Sequence, residues 1–281
     1  MEGDGMVAQD PEVPFELEVR EVRRTSPSIV RIGLVGPPIA SLGVPDEACV
    51  LHLPLPDGGR DDYGRWYTVR AIEPGTGRLS IDVVTHDGGV GAGWARRAEP
   101  GDRLGVSARN SWFRRGADAT WQVLLGDVAA LPAIGRIVQE SPQALRTTVV
   151  VEVPDADDEV PMPGHVDVTW VRNPDLARRS RLEELARGVQ LPEGPGYVYV
   201  AGEAAATRRV RKYLRHELGM KPHQYGVIGY WRMDNERWMR RYARTAKQYE
   251  QIWADAHAAG ADEEEAQDIY EERVAKAGLL L

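Results

Sequence analysis

Residues 65–70 read RWYTVR, two arginines around a tryptophan, a tyrosine and a threonine. A guanidinium matches phosphate geometry, a phenol offers a flat face and a hydroxyl reaches a ring nitrogen. The inner residues also have high β-propensity. The stretch is therefore either a strand with charged ends or a strand end that holds an anionic aromatic molecule. Residues 86–98, HDGGVGAGWARRA, place four glycines in six positions. Such a backbone folds around phosphate, or makes a flexible hairpin turn. His86 either donates to a ligand there or is structural. Two further stretches, LLGDVAALPA (124–133) and VAGEAAA (200–206), run from strand into Gly-Asp or Gly-Glu and then into helix. In open α/β sheets ligands sit beyond such strand ends. Asp127 and Glu203 either cap those helices or bind hydroxyls or an amide of a nucleotide.

Other chemistry is missing from the text. There is no GxGxxG, GxSxG or HExxH, and the six histidines show no ligand spacing. Cys49 is the single cysteine, so no intramolecular disulfide or thiolate-rich iron–sulfur site forms, and no metal site is expected. A net charge of −8 argues against a dedicated nucleic-acid binder. No run reaches transmembrane length and the acidic N-terminus lacks a secretory core. A cytoplasmic monomer, with no membrane partner, is expected.

The elements that must position these residues follow from punctuation. Residues 1–14 read as a disordered leader, rich in Glu, Asp, Gly and Pro. From Phe15 to residue 119, six short strands separated by PDGGRDD, PGTG and EPGD predict a small antiparallel barrel. From 120 to 233, apolar runs such as WQVLLGD, TTVVVEV and YVYVAGE alternate with helical spacing and predict a parallel-sheet α/β domain. Residues 234–281 read as a helical extension. Trp238, Tyr242, Tyr249 and Trp253 fall on one stripe, expected to dock on the body, and a second helix is expected from Asp262, capped by Glu265, to Gly278.

In order and spacing, RWYTVR, HDGGVGAGWA with EPGDRL, LLGDVAALPAI and YVYVAGEAAATRRVRKYL…GYWR resemble the siderophore-interacting protein family of ferredoxin-reductase-like flavoproteins. The resemblance spans residues 15–232. It implies an FAD-binding barrel followed by a nicotinamide-binding domain. Carried over, Arg65 neutralises the FAD diphosphate, and Tyr67 and Thr68 are the catalytic positions, stacking on the flavin ring and bonding near its N5. Val69 and Arg70 continue that strand beside the flavin. His86, Gly89, Gly91, Ala92, Trp94 and Ala95 hold the ribityl–diphosphate portion, while Asp127, Ala130, Glu203 and Trp231 complete the cofactor set. Strand alternation places Tyr67 and Thr68 on opposite faces, so all three roles require the strand to bend or end near Tyr67. The chain departs from the family at GGVGAGWA, at Val128-Ala129 and at ARNSWF (108–113).

The implied activity is reduction of a cytoplasmic ferric siderophore by NADH or NADPH through FAD, with NADH favoured on the helical tail. Ferredoxin is an alternative reductant. Arg114, Lys221 and Arg232 are expected on a basic rim that receives the anionic chelate. Two rival readings stand beside it: a general flavin-dependent reductase and a non-catalytic siderophore-binding protein.

Overall fold

The computed structural model describes residues 14–86, 88–162, 166, 168–233, 235–260, 263–277 and 279. The chain divides into two compact units, residues 4–232 and 233–281. The expected leader lies outside the described residues apart from Pro14.

Period-two burial builds the first part of the larger unit. β1 (Phe15–Ser26), β2 (Ile29–Val35), β3 (Ala48–His52), β4 (Arg65–Glu73), β5 (Arg78–Val84) and β6 (Arg103–Asn110) close into an antiparallel barrel, in the order β1-β2-β5-β4-β3-β6. Inward residues such as Leu17, Ile32, Leu51, Ile81 and Leu104 fill it. One short helix, α1 (Val90–Ala95), adds Trp94 and Ala95 to that core.

Nearly continuous apolar runs build the second part, as expected for strands covered on both faces. β7 (Trp121–Asp127), β8 (Arg146–Val153), β9 (Val168–Arg172), β10 (Gly196–Glu203) and β11 (Tyr225–Trp231) form a parallel sheet in the order β11-β10-β7-β8-β9. One face packs on α2 (Leu131–Glu140), on Ile29 of the barrel and on Phe113 in the segment after β6. The other is covered by α3 (Leu182–Gly188) and α4 (Ala204–Lys212).

Polar attachments join the barrel to the sheet. Asp158, fully buried beyond β8, accepts from the Ser26 and Ser28 hydroxyls and the Ser28 N–H at 2.6–2.8 Å. Glu47, at the start of β3, takes Arg109 of β6 at 2.5 Å and Arg136 of α2 at 3.4 Å, all three buried. Near the amino end of β10 the Arg114 N–H donates to the Tyr197 hydroxyl at 2.9 Å.

In the smaller unit, α5 (Asn235–Ala259) pairs with α6 (Glu263–Lys276). The aromatic stripe serves this hairpin: Trp238 stacks on Tyr242 at 5.0 Å, and Trp253 meets Tyr270 of α6 edge-on at 5.0 Å. Asp262 and Gly278, expected as cap residues, lie outside the described residues.

Candidate functional site

The ladder of β4 to β3 runs unbroken from Leu51↔Arg65 to Ala48↔Thr68. The irregularity comes later, against β5, between Val69 and Ala71. At Tyr67 itself the strand alternates, and the break falls two residues beyond it. Arg65, Tyr67 and Val69 share one face, and Trp66, Thr68 and Arg70 the other. The Thr68 side chain lies on the face opposite Tyr67. Its buried hydroxyl donates to the Tyr230 hydroxyl at 3.3 Å, and Tyr230 in turn lies 2.9 Å from the Tyr199 hydroxyl. Burial raises the pKa of the Tyr67, Tyr199 and Tyr230 phenols.

Arg65 donates through Nε to buried Asp61 at 2.9 Å, which sets the plane of its guanidinium. Tyr67 lays its hydroxyl on the backbone of Gly91, where a Cβ would stand only 2.3 Å from the phenol oxygen. Val69 belongs to the barrel core; its N–H bonds Glu47 and its carbonyl accepts from Arg136, so it offers a cofactor nothing. Arg70 leans on α2, reaching Gln139 at 3.2 Å, rather than turning with Tyr67.

Gly88 and Gly89 open α1 at φ 81° and 79°, conformations that favour glycine. The exposed His86 ring lies beside Gly89, and its carbonyl accepts from Arg96. The inner residues of the motif are not ligand-facing. Trp94 is fully buried in the barrel, with its indole N–H unpaired, and Ala92 and Ala95 are buried as well. A six-residue helix lying on a barrel must turn one face inward, and this is that face.

At the strand ends the capping reading prevails. Asp127 Oδ1 accepts from Ala129 N–H at 2.9 Å; Oδ2 accepts from Glu203 N–H at 2.9 Å and Trp231 Nε1 at 2.7 Å. Glu203 accepts from Ala206 N–H at 2.8 Å and caps α4. Ala130 is fully buried core. Asp127, Glu203 and Trp231 thus tie three strand ends together instead of presenting polar atoms to a nucleotide.

Burial pushes the Asp127 carboxyl up to about 7, against the three donors that favour its charge. A folded-state pKa above the ordinary 3.8 means that the native state binds the extra proton between these values. This group's contribution to stability is therefore fully present below pH 3.8 and declines as pH rises towards 7. Asn cannot titrate, so the destabilisation caused by Asp127→Asn should be smaller at pH 8 than at pH 5, by on the order of 2 kcal/mol. Urea unfolding at both pH values measures this; equal differences would show that Asp127 is charged throughout.

The expected basic rim does not assemble. Arg114 folds back onto the Ser111 and Phe113 carbonyls at 2.8 and 2.9 Å. Lys221 precedes β11, so it lies at the amino end of the parallel sheet, about 20 Å of strand from the Trp231 end. Arg232 alone follows a carboxyl end. Sequence reasoning missed Asp61, Glu47, Arg109 and Arg136. Asp61 lies four residues before Arg65, a spacing that could have flagged it. Among the described residues, no His/Cys/Asp/Glu cluster could hold a metal ion, and no helix is long and apolar enough to cross a membrane.

A closed six-stranded barrel followed by a five-stranded parallel sheet is the ferredoxin-reductase-like architecture. A ferredoxin reductase of carbazole 1,9a-dioxygenase shares it at a TM-score of 0.62 and 17% identity, covering 77% of this chain and 68% of that one; this likeness concerns the fold alone. Within that class the assignment is specific. Residues 119–234 match the family model described as Siderophore-interacting protein, and residues 54–111 match the Siderophore-interacting FAD-binding domain. The ferric vibriobactin reductase ViuB of Vibrio cholerae is 30% identical over 201 residues, 67% of this chain and 74% of its own length. A siderophore utilization protein from T. fusca superposes with a TM-score of 0.69 at 31% identity, covering 80% of this chain and 95% of that one. The chain belongs to the siderophore-interacting protein family.

Proposed function

We propose that the protein is a cytoplasmic, monomeric ferric-siderophore reductase that uses FAD and takes its electrons from NADH or NADPH. One observation carries the reading: within the matched FAD-binding segment, Tyr67 is seated on Gly91 of the positive-φ glycine loop, and Arg65 on its face is held by Asp61. These residues fit FAD. The phenol supplies a flat platform, the guanidinium offsets diphosphate charge, and Gly88 and Gly89 let a phosphate approach main chain unhindered by side chains.

Bound FAD would supply the exchange between a two-electron donor and one-electron Fe(III). The chain's own task is placement. Arg65, Tyr67, His86 and the loop at Gly88–Gly91 orient the cofactor, while Asp127 with Trp231 holds the ends of β7, β10 and β11 as a fixed shelf for the nicotinamide. On the opposite face of β4 the Thr68 hydroxyl bonds Tyr230 and so ties this strand to β11. ViuB, as a ferric vibriobactin reductase, supports a ferric chelate as the substrate.

The test is anaerobic turnover of purified protein with a ferric chelate, the Fe(II) formed being trapped by a ferrous chelator. NADH, NADPH and reduced ferredoxin are compared as donors, and quinones and free flavin as rival acceptors. Flavin-dependent Fe(II) release driven by a nicotinamide, NADH above NADPH, is the expected result. A protein that retains no flavin and reduces no chelate would overturn the reading; quinone turnover exceeding chelate turnover would make it a general reductase.

A further inference from the structure

A cavity of about 230 Å³ opens at the seam between barrel and sheet. Its barrel side carries Arg23 of β1, Arg31 of β2, Arg70 of β4 and Asp82 of β5. Thr25 of β1 and Ile29 of β2 complete that side, and the wall opposite is apolar: Leu131 and Gly135 of α2, and the segment Val160–Met162. None of the glycine loop, and none of Asp127, Glu203 or Trp231, lines it. Of the residues expected to hold the cofactor, Arg70 alone lines it, turned onto α2 and away from Tyr67.

Its charges do not cancel. Arg31 and Asp82 neutralise one another through two bonds of 2.6 and 2.7 Å. Among the described residues Arg23 forms an ion pair with Glu21 alone, at 4.0 Å and largely in solvent, where such a pair is worth little. Arg70 makes no ion pair among the described residues. Its guanidinium donates to the neutral amide of Gln139, at 3.2 Å, beside the bare backbone of Gly135. Burial, and then the neighbouring Arg31, depress its pKa, outweighing the opposite pull of Asp82 and Glu140. A guanidinium in that position gains most from a bidentate carboxylate, and the apolar wall opposite gains from a ring or branched chain. The volume falls below the range of drug-sized ligands and far below that of a whole iron chelate.

We propose that this seam cavity binds a small free carboxylate with an apolar body, of about the size of benzoate, through Arg70 with Arg23 at its mouth. The carboxylate lies along the Arg70 guanidinium, and the apolar body rests on Leu131, Pro161 and Met162. Because the walls come from β1, β2, β4 and β5 on one side and α2 on the other, an occupant bridges barrel and sheet.

Benzoate is the probe, titrated calorimetrically into the purified protein. The expected result is saturable one-to-one binding, weakened about tenfold or more by Arg70→Met and less by Arg23→Ala. Neutral benzamide and inorganic phosphate should bind at least about tenfold more weakly, lacking the charge or the apolar body. Methyl NMR of the wild-type protein keeps the test independent of any variant's folding: the Met162 methyl signal should move on titration, and that of Met220 should not. Absence of saturable binding, an unmoved Met162 signal, or an affinity indifferent to Arg70→Met would overturn the proposal. Displacement of benzoate by NADH would overturn it too, by assigning the cavity to the nucleotide site. None of these readouts depends on electron transfer, so a failure of the reductase reading leaves this test intact.

Discussion

Glu47→Ala should lower the unfolding free energy by about 3–5 kcal/mol, the range for breaking a buried ion pair from one side. Glu47 is fully buried and faces two guanidinium groups that are themselves 2% and 5% exposed. Alanine would remove the carboxylate that both cations share, leaving Arg136 with the half-exposed Glu140 at 2.6 Å, and much of the desolvation would no longer be offset. The loss falls on the seam, since Arg136 also bonds the Val69 carbonyl and so joins α2 to β4. Urea unfolding measures the effect. The triple variant Glu47→Leu, Arg109→Met, Arg136→Met should recover much of it, because it removes the orphaned charges together with their partner. A Glu47→Ala cost below about 1 kcal/mol would mean that water or rearrangement already screens the cluster.

Gly91→Val should leave the barrel folded and strip it of FAD. A Cβ at this position would meet the Tyr67 hydroxyl at 2.3 Å, so one of the two must move. α1 cannot back away, because Trp94 and Ala95 anchor it in the barrel core. The phenol therefore swings out, and the ring platform goes with it. Aromatic stacking on a heterocycle is worth about 1–3 kcal/mol, so FAD affinity should fall by roughly 10- to 100-fold. Flavin absorbance of the purified protein, with FAD titration of the apoprotein, measures this; far-ultraviolet dichroism checks that the fold survives. Wild-type FAD affinity in Gly91→Val would remove Tyr67 from the site.

What the sequence disclosed depended on how local the signal was. Barrel and sheet were legible because alternation, turn residues and apolar runs act within a few positions of one another. Tyr67 and its glycine loop were legible as a pair for the same reason, lying about twenty residues apart on adjoining elements. The errors lie where one motif serves both packing and binding. Trp94, Ala95, Ala130 and Val69 stand inside motifs of ligand-binding type, yet their side chains complete cores. Asp127 and Glu203 read as cap or ligand, and only the count of donors around each carboxylate decides for the cap. Lys221 was misplaced although parallel topology sends its end of β11 away from Trp231. The ion cluster was invisible for another reason: Glu47 meets Arg109 and Arg136 across 62 and 89 residues of chain.

The attachments of Asp158, Glu47 and Tyr197 constrain what kind of machine this can be. They pin barrel to sheet beyond the carboxyl end of β8, along α2 and at the amino end of β10. A body held at one point can swivel, and one held at two can still hinge about the line between them. Three dispersed fastenings leave no axis to turn on. For the reductase proposed above, the spacing between electron donor and acceptor would then be a dimension laid down when the chain folds, like the gap of a spark plug, with no opening and closing of barrel against sheet.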